Sequence, residues 1–209
     1  RFNSDNIFLI CSLLAESKEM LIPSPYWVSY PQMAHLCGAK IINIYSDQSS
    51  GFKVTPESLK KEITSNSKVL ILNYPSNPTG ATYTEQELRD IYTVVRGEDI
   101  VVVSDEIYEA LTYDGKRHVS FASIEDAYAK TITINGCSKT FSMTGWRIGY
   151  LAAPENLVAQ ISKIIDHTTS CACSISQHAA IAALEDKGWQ DKDRDIFEQR
   201  RNLLWDGLS

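Results

Sequence analysis

Residues 100–108, with the sequence IVVVSDEIY, contain the feature that decides the fold. The first four residues are apolar without alternation, which is typical of a strand that is covered on both faces. The polar group Ser104-Asp105-Glu106 follows at once, where such a strand would end. This stretch therefore predicts an α/β fold with a polar site at the carboxyl end of a buried strand.

The rest of the chain alternates between short apolar runs and helical patterns. The strand candidates are Asn6–Cys11, Glu19–Pro23, Lys40–Tyr45, Lys68–Asn73, Ile100–Ser104, Thr131–Asn135 and Ile148–Ala153. The helix candidates are Tyr30–Cys37, Pro56–Thr64, Glu85–Arg96, Asn156–Leu184 and an amphipathic stretch over Arg194–Ser209. Because strands separated by helices pair in parallel through right-handed crossovers, we predict a three-layer domain with a mainly parallel sheet of seven strands.

Two helix starts have capping residues in the sequence. Thr55 precedes Pro56, and a hydroxyl before a proline of the first turn is typical of a helix N-terminus. Thr84 is followed by Glu87 at the third helical position, which is the pattern of a capping box. We therefore predict helices that begin at Pro56 and Glu85.

The composition excludes several classes of function. The chain has 209 residues, with 20 Lys and Arg against 26 Asp and Glu, a net charge of −6 and a pI near 5.2. Because phosphate backbones are bound by clustered basic residues, we expect no nucleic-acid partner. Apolar runs are too short and too often interrupted by charges to span a bilayer, so we expect no membrane partner. Five cysteines without a regular spacing indicate a reducing, cytoplasmic location.

Polar side chains follow three of the predicted strands at the point where each strand ends. Residues 73–80 read NYPSNPTG, residues 104–108 read SDEIY and residues 135–140 read NGCSKT. In open α/β sheets, ligands bind beyond the carboxyl ends of the strands. An amide, a carboxylate, a phenol and an amine would then meet at one edge, which predicts a site for a polar conjugated ligand.

Four segments of the chain resemble a known family. They are residues 26–31 (YWVSYP), 73–80 (NYPSNPTG), 104–108 (SDEIY) and 138–150 (SKTFSMTGWRIGY). In this order they resemble the class I pyridoxal-phosphate-dependent aminotransferases, and among these most closely the bacterial aspartate aminotransferases. The resemblance implies the large domain of a fold-type I pyridoxal-phosphate-dependent transferase, with pyridoxal 5'-phosphate as its cofactor.

The resemblance also implies three catalytic residues. Lys139 would form a Schiff base with the cofactor aldehyde and, once released, move a proton from the substrate Cα. Asp105 would pair with the pyridinium nitrogen and keep it protonated, so that the ring can accept electrons. Tyr108 would hydrogen-bond the phenolic oxygen of the ring.

Further residues are implied to hold the cofactor. Trp27 would stack on the ring, Asn77 would hydrogen-bond its phenolic oxygen, and both would also face the substrate. Arg147 would bind the phosphate in a bidentate manner, a geometry that suits Arg better than Lys. Ser138 would donate its hydroxyl to the same phosphate.

Each of these residues also has an ordinary structural interpretation. Asp105 could cap a following helix, which is a common use of Asp after a strand. Asn77 precedes Pro78 and could serve a turn. Trp27 could belong to the core, and Arg147 could form a surface ion pair.

The sequence shows no ligand set for a metal ion. Cys171 and Cys173 are too few for a zinc site and fall within a predicted helix, where a buried thiol is the usual finding. The four histidines show no ligand spacing. We therefore expect no metal site.

The chain departs from the family at three places. The family's glycine-rich turn after the first strand is missing, so we expect a chain break or a strained junction near Ser12–Leu13. Both ends look incomplete, and we expect residues 1–209 to form the cofactor-binding large domain without the C-terminal small domain.

The resemblance also implies a homodimer, as in related enzymes.

The expected reaction is transamination between aspartate and a 2-oxo acid such as 2-oxoglutarate. Alternatives within the fold are an aromatic or prephenate aminotransferase and a carbon–sulfur lyase. A catalytically incompetent fragment that keeps the fold is a further alternative. The resemblance implies that the arginine for the α-carboxylate of the substrate belongs to the small domain.

Overall fold

The sheet is the centre of the fold. The computed structural model describes residues 18–186 and 188–208. Within these residues the sheet has six strands: β1 (Glu19–Ser24), β2 (Lys40–Tyr45), β3 (Ser67–Asn73), β4 (Val101–Asp105), β5 (Thr131–Gly136) and β6 (Gly149–Ala152). Their spatial order is β2-β1-β3-β4-β5-β6, and all neighbours are parallel except β5 and β6.

The predicted mainly parallel sheet is confirmed, and each described strand agrees with its prediction to within one residue at either end. The seventh predicted strand, Asn6–Cys11, lies outside the described residues. The expected break or strained junction near Ser12–Leu13 lies outside them as well.

The part of the chain that the structure describes has seven helices, apart from short 3-10 turns. They are α1 (Ser29–Leu36), α2 (Pro56–Glu62), α3 (Glu85–Val95), α4 (Cys137–Thr140), α5 (Glu155–Thr168), α6 (Ser174–Glu185) and α7 (Trp189–Leu208). The predicted capping residues are confirmed: Thr55 accepts a hydrogen bond from the Ser58 amide, and Thr84 accepts one from the Glu87 amide.

The prediction of one helix over residues 156–184 is wrong, because α5 and α6 are separate helices. Ser170 adopts a left-handed conformation with φ of 57°, and its amide donates to the carbonyl of Ile165 at 2.8 Å, which ends α5. Cys171 and Cys173 therefore lie in the connection between two helices, and both thiols are exposed rather than buried.

Hydrophobic cores lie on both faces of the sheet. Val102 of β4 belongs to a core that also contains Leu88 and Ile91 of α3. Its neighbour Val103 belongs to the core on the other face, with Met33 of α1. Successive residues of β4 thus enter opposite cores, as the unbroken apolar run of this strand predicts, and the three-layer arrangement is confirmed.

Among the described residues, no helix combines the length and the apolar character that crossing a membrane would require.

Candidate active site

The site lies at the edge where β3, β4 and β5 end. Asn73, the last residue of β3, is in register with Asp105, the last residue of β4. The Nδ2 atom of Asn73 donates to the carbonyl oxygen of Asp105 at 3.0 Å, and its Oδ1 atom accepts from the amide of Asn77 at 2.9 Å. Asn73 therefore connects the strand end that carries Asp105 to the loop that carries Asn77.

A cavity of about 220 Å³ opens at this edge of the sheet. Its lining includes all seven site residues predicted from the sequence, namely Trp27, Asn77, Asp105, Tyr108, Ser138, Lys139 and Arg147. It also includes four residues that sequence reasoning did not assign to the site, namely Tyr30, Asn73, Ile107 and Thr144. The fold thus brings four separate segments of the chain to one cavity.

Asp105 is the buried acid of the cavity, with 3% of its surface exposed. The Tyr30 hydroxyl donates to its Oδ2 atom at 2.8 Å, and the Ile107 amide donates to its Oδ1 atom at 3.3 Å. Burial raises the pKa of Asp105 to about 6, and the nearby charge of Glu106 acts in the same direction. The two hydrogen bonds oppose this shift because they favour the ionised carboxylate.

The simpler interpretation of Asp105 as a helix cap does not fit the structure. Residues 107–110 form turns rather than a helix, so the Ile107 amide contact belongs to a local turn. The same carboxylate lines the cavity and takes a hydrogen bond from Tyr30, which is 75 positions away in sequence. The Asp105 carboxylate is therefore part of the cavity wall rather than the cap of a helix.

Lys139 reaches the cavity from the end of β5. It lies in the short helix α4, which begins directly after the strand, and its side chain is half-buried. The Nζ atom lies 5.6 Å from the centre of the Tyr108 ring, within the range of a cation–π contact. An amine from β5 and a phenol from the loop after β4 thus meet at the same cavity.

The turn between α4 and β6 carries Arg147 to the rim of the cavity. Ser142 and Arg147 adopt left-handed conformations, with φ of 54° and 55°. Such a backbone is costly for residues other than glycine and is often found at functional sites. The Arg147 Nη1 atom donates to the Thr144 carbonyl at 2.8 Å, and the Thr144 hydroxyl donates to the Ser138 carbonyl at 3.0 Å. These bonds hold a guanidinium and two hydroxyl-bearing residues together.

Trp27 forms an aromatic wall of the cavity. It is half-buried and meets the ring of Tyr30 edge to face, with centroids 5.4 Å apart and an angle of 87° between the rings. This arrangement is favourable for aromatic pairs. Trp27 therefore lines the cavity and also packs against the core.

A network of buried polar groups lies behind Asp105. The Oε1 atom of Glu106 accepts from the hydroxyls of Ser104 at 2.7 Å and Ser120 at 2.9 Å. Its Oε2 atom lies 2.8 Å from Nε2 of His118. Glu106, Glu109 and His118 lie close enough to share a cation, but both carboxylate oxygens of Glu106 already have partners within the protein. We interpret the network as an anchor for residues 106–121.

The arrangement has the parts needed to hold an aromatic phosphate ester that carries a carbonyl group. Arg147 and the adjacent hydroxyls suit a phosphate, since guanidinium groups bind phosphate oxygens in pairs. Trp27 suits an aromatic ring, and the amine of Lys139 can condense with an aldehyde. Asp105 can hold a proton on a ring nitrogen.

The six-stranded, mostly parallel sheet flanked by helices is the fold of the pyridoxal-phosphate-dependent transferases of fold type I. The comparisons with known proteins agree: residues 4–209 match the family model described as "Aminotransferase class I and II". The chain belongs to this family, whose members depend on pyridoxal phosphate.

Individual relatives support the same assignment. The chain is 46% identical to an aspartate aminotransferase of Geobacillus stearothermophilus over 200 residues, which are 94% of this chain and 50% of that protein. It is similar in structure to an aromatic aminotransferase of Pyrococcus horikoshii, with a TM-score of 0.94 and 37% identity over 99% of this chain and 56% of the other. An aspartate aminotransferase of Rhizobium meliloti gives a TM-score of 0.93 and 36% identity, over 99% and 52% of the two chains. The chain spans about half the length of the curated relatives it matches.

The residues present fit the family's cofactor. Asp105 is a buried carboxylate, and its Oδ2 atom accepts a hydrogen bond from Tyr30. Asp105 and Lys139 line the same cavity. A buried acid without a nearby cation would be costly to ionise, and a protonated ring nitrogen would provide that cation. The donor set of the cavity therefore matches the phosphate, the ring and the aldehyde of pyridoxal phosphate.

Proposed function

We propose that this chain is the cofactor-binding large domain of an aminotransferase that moves an amino group between aspartate and 2-oxoglutarate. The observation that supports this best is the shared cavity of Asp105 and Lys139, which come from the ends of neighbouring strands. The 46% identity to an aspartate aminotransferase supports the choice of substrate.

Each residue of the cavity would have a distinct part in the reaction. Bound pyridoxal phosphate supplies an aldehyde that takes up the substrate amine and a ring that accepts electrons. The Lys139 amine would bind that aldehyde in the resting enzyme and carry a proton to and from the substrate Cα. Asp105 would hold the proton on the ring nitrogen, and Tyr108 would donate to the phenolic oxygen.

The other residues would orient the two ligands. Arg147 and Ser138 would bind the phosphate. The contacts of Thr144 support this proposal, because its carbonyl accepts from Arg147 and its hydroxyl donates to the Ser138 carbonyl. Trp27 would cover one face of the ring. Asn77 would donate to the phenolic oxygen, and Trp27 and Asn77 would also contact the substrate.

An aromatic amino acid is the second candidate for the amino donor. The similarity in structure to the aromatic aminotransferase of Pyrococcus horikoshii, with a TM-score of 0.94, favours it. Both candidates need the same residues of this chain, because they differ in the substrate side chain and share the reacting atoms.

We further propose that the complete protein contains a C-terminal small domain, assembles as a homodimer and acts in the cytoplasm. The coverage of about half of each relative supports the missing domain. The free thiols of Cys37, Cys137, Cys171 and Cys173 support a reducing compartment.

The test is a titration of the purified complete protein with pyridoxal phosphate, followed by product analysis. We expect a visible absorption band, and oxaloacetate and glutamate from aspartate and 2-oxoglutarate. Transfer of the amino group from phenylalanine to 2-oxoglutarate, or from glutamate to prephenate, without turnover of aspartate would select the aromatic or prephenate alternative. Pyruvate with ammonia from cystathionine would select the lyase. A protein that stays colourless with the cofactor would contradict the proposal and favour an incompetent fragment.

A further inference from the structure

We propose that Tyr30 is a positioning residue for Asp105, whose hydroxyl holds the carboxylate in one orientation and in its ionised form at the wall of the cavity. The inference rests on the proposed function, since it assigns a supporting residue to the acid that would face the ring nitrogen. The contact between Tyr30 and Asp105 is not visible in the sequence, because the two residues lie 75 positions apart.

The contact between the two residues is short and buried. The Tyr30 hydroxyl donates to Oδ2 of Asp105 at 2.8 Å, while 2% of Tyr30 and 3% of Asp105 are exposed. The other contact of this carboxylate, from the Ile107 amide to Oδ1, is longer at 3.3 Å. Because hydrogen bonds weaken with distance, the tyrosine provides the stronger of these two restraints.

Packing determines where the Tyr30 hydroxyl can lie. Tyr30 is in the first turn of α1, within the core cluster that also contains Met33 and Ala34. Its ring meets Trp27 edge to face at 5.4 Å. The phenol therefore cannot turn away from Asp105 without disturbing the aromatic wall of the cavity.

Electrostatics explain why this carboxylate needs a donor. Removal from water and the negative charge of Glu106 both favour the neutral acid at Asp105, whereas hydrogen bonds from Tyr30 and Ile107 favour the carboxylate. Loss of the hydroxyl would therefore shift Asp105 towards its neutral form, and a neutral acid binds a protonated ring nitrogen poorly.

The proposal predicts a result for the protein without cofactor. We would label the complete protein with ¹³C-aspartate, assign the Asp105 carboxyl signal with Asp105→Asn, and follow it with pH in the wild type and Tyr30→Phe. Loss of one hydrogen bond to a buried charge should raise the Asp105 pKa on the order of one unit. The control is Tyr92→Phe, a buried tyrosine that packs on Phe121 in the opposite core and should leave the pKa unchanged.

Cofactor binding provides the second measurement. Tyr30→Phe should weaken pyridoxal phosphate binding by about tenfold in the wild type but not in an Asp105→Asn background, because Tyr30 acts through Asp105. An unchanged Asp105 pKa in Tyr30→Phe, or an equal loss of affinity in both backgrounds, would overturn the inference. Failure of the wild type to bind the cofactor would instead refute the proposed function, and the carboxyl titration would still decide whether Tyr30 controls Asp105.

Discussion

The amine of Lys139 lies 5.6 Å from the centre of the Tyr108 ring, although Lys139 belongs to α4 and Tyr108 to the turn after β4. Lys139 stands three residues after the end of β5, and Tyr108 stands three residues after the end of β4. Because β4 and β5 are parallel neighbours, their carboxyl ends must lie side by side. The strand order of the sheet therefore accounts for the meeting of an amine and a phenol at one cavity.

Replacement of Lys139 tests the proposed proton transfer. Lys139→Ala should lower kcat for aspartate and 2-oxoglutarate by about 10³-fold or more, because it removes both the anchoring amine and a general acid–base group. Lys163→Ala, at a lysine in the middle of α5, is the matched control and should keep wild-type activity. Comparable activity in the wild type and Lys139→Ala would exclude the assigned role.

Asp105 predicts a dependence of stability on pH in the protein without cofactor. Its pKa of about 6 in the folded state lies above its ordinary value of 3.8, so the folded state binds the proton more tightly than the unfolded chain. Ionisation of Asp105 thus lowers the free energy of unfolding progressively from about pH 4 to pH 6, by about 3 kcal/mol once complete.

Asp105→Asn removes this ionisable group. Relative to the wild type, the variant should gain stability as the pH rises from 4 to 7, by up to about 3 kcal/mol, because only the wild type has a carboxyl group to ionise. Urea unfolding at several pH values measures the difference. A difference that stays constant over this range would show that Asp105 has an ordinary pKa in the folded protein.

The side chain of Asn73 is predicted to support the site without contacting the reacting atoms. Asn73→Ala removes the hydrogen bonds to the Asp105 carbonyl and from the Asn77 amide. We expect a loss of about 1–3 kcal/mol in the free energy of unfolding and weaker cofactor binding. Asn66→Ala, in the exposed turn before β3, is the control and should change neither property. Unaltered cofactor affinity in Asn73→Ala would separate this residue from the site.

The capping box of α3 predicts a purely structural effect. The Thr84 hydroxyl accepts from the Glu87 amide at 3.3 Å, and the Glu87 carboxylate accepts from the Thr84 amide at 2.7 Å. Thr84→Ala should reduce the free energy of unfolding by about 0.5–2 kcal/mol, as measured in urea. Because α3 packs on the face of the sheet opposite α1, the affinity for pyridoxal phosphate should not change. A changed affinity would mean that the stability of α3 affects the cavity, and it would contradict a purely structural role of Thr84.

The sequence allowed the sheet and the site to be predicted for a physical reason. Runs such as residues 100–103 need no tertiary information to be recognised as a strand buried on both faces, and polar residues after such strands meet at one edge of a parallel sheet. The positions of Asp105 and Lys139 follow from this rule, and the family resemblance added their expected roles.

The relationships that sequence reasoning missed depend on tertiary packing. Tyr30 lies in a helix that contains both polar and apolar residues, and it is recognisable as a partner of Asp105 only once α1 has packed against the sheet. The end of α5 was missed because no glycine or proline marks it, and Ser170 supplies the left-handed residue instead. Helices commonly end at glycine for that conformation, so a serine in this place gave no signal.

The covalent attachment of the cofactor to Lys139 is the central claim of this account, and mass spectrometry tests it most directly. The complete protein would be incubated with pyridoxal phosphate, reduced with borohydride, digested and sequenced by tandem mass spectrometry. We predict loss of the visible band and a reduced pyridoxyl-phosphate adduct on the peptide that contains Lys139. An adduct spread over surface lysines, or none on Lys139 in a protein that has bound the cofactor, would contradict the account.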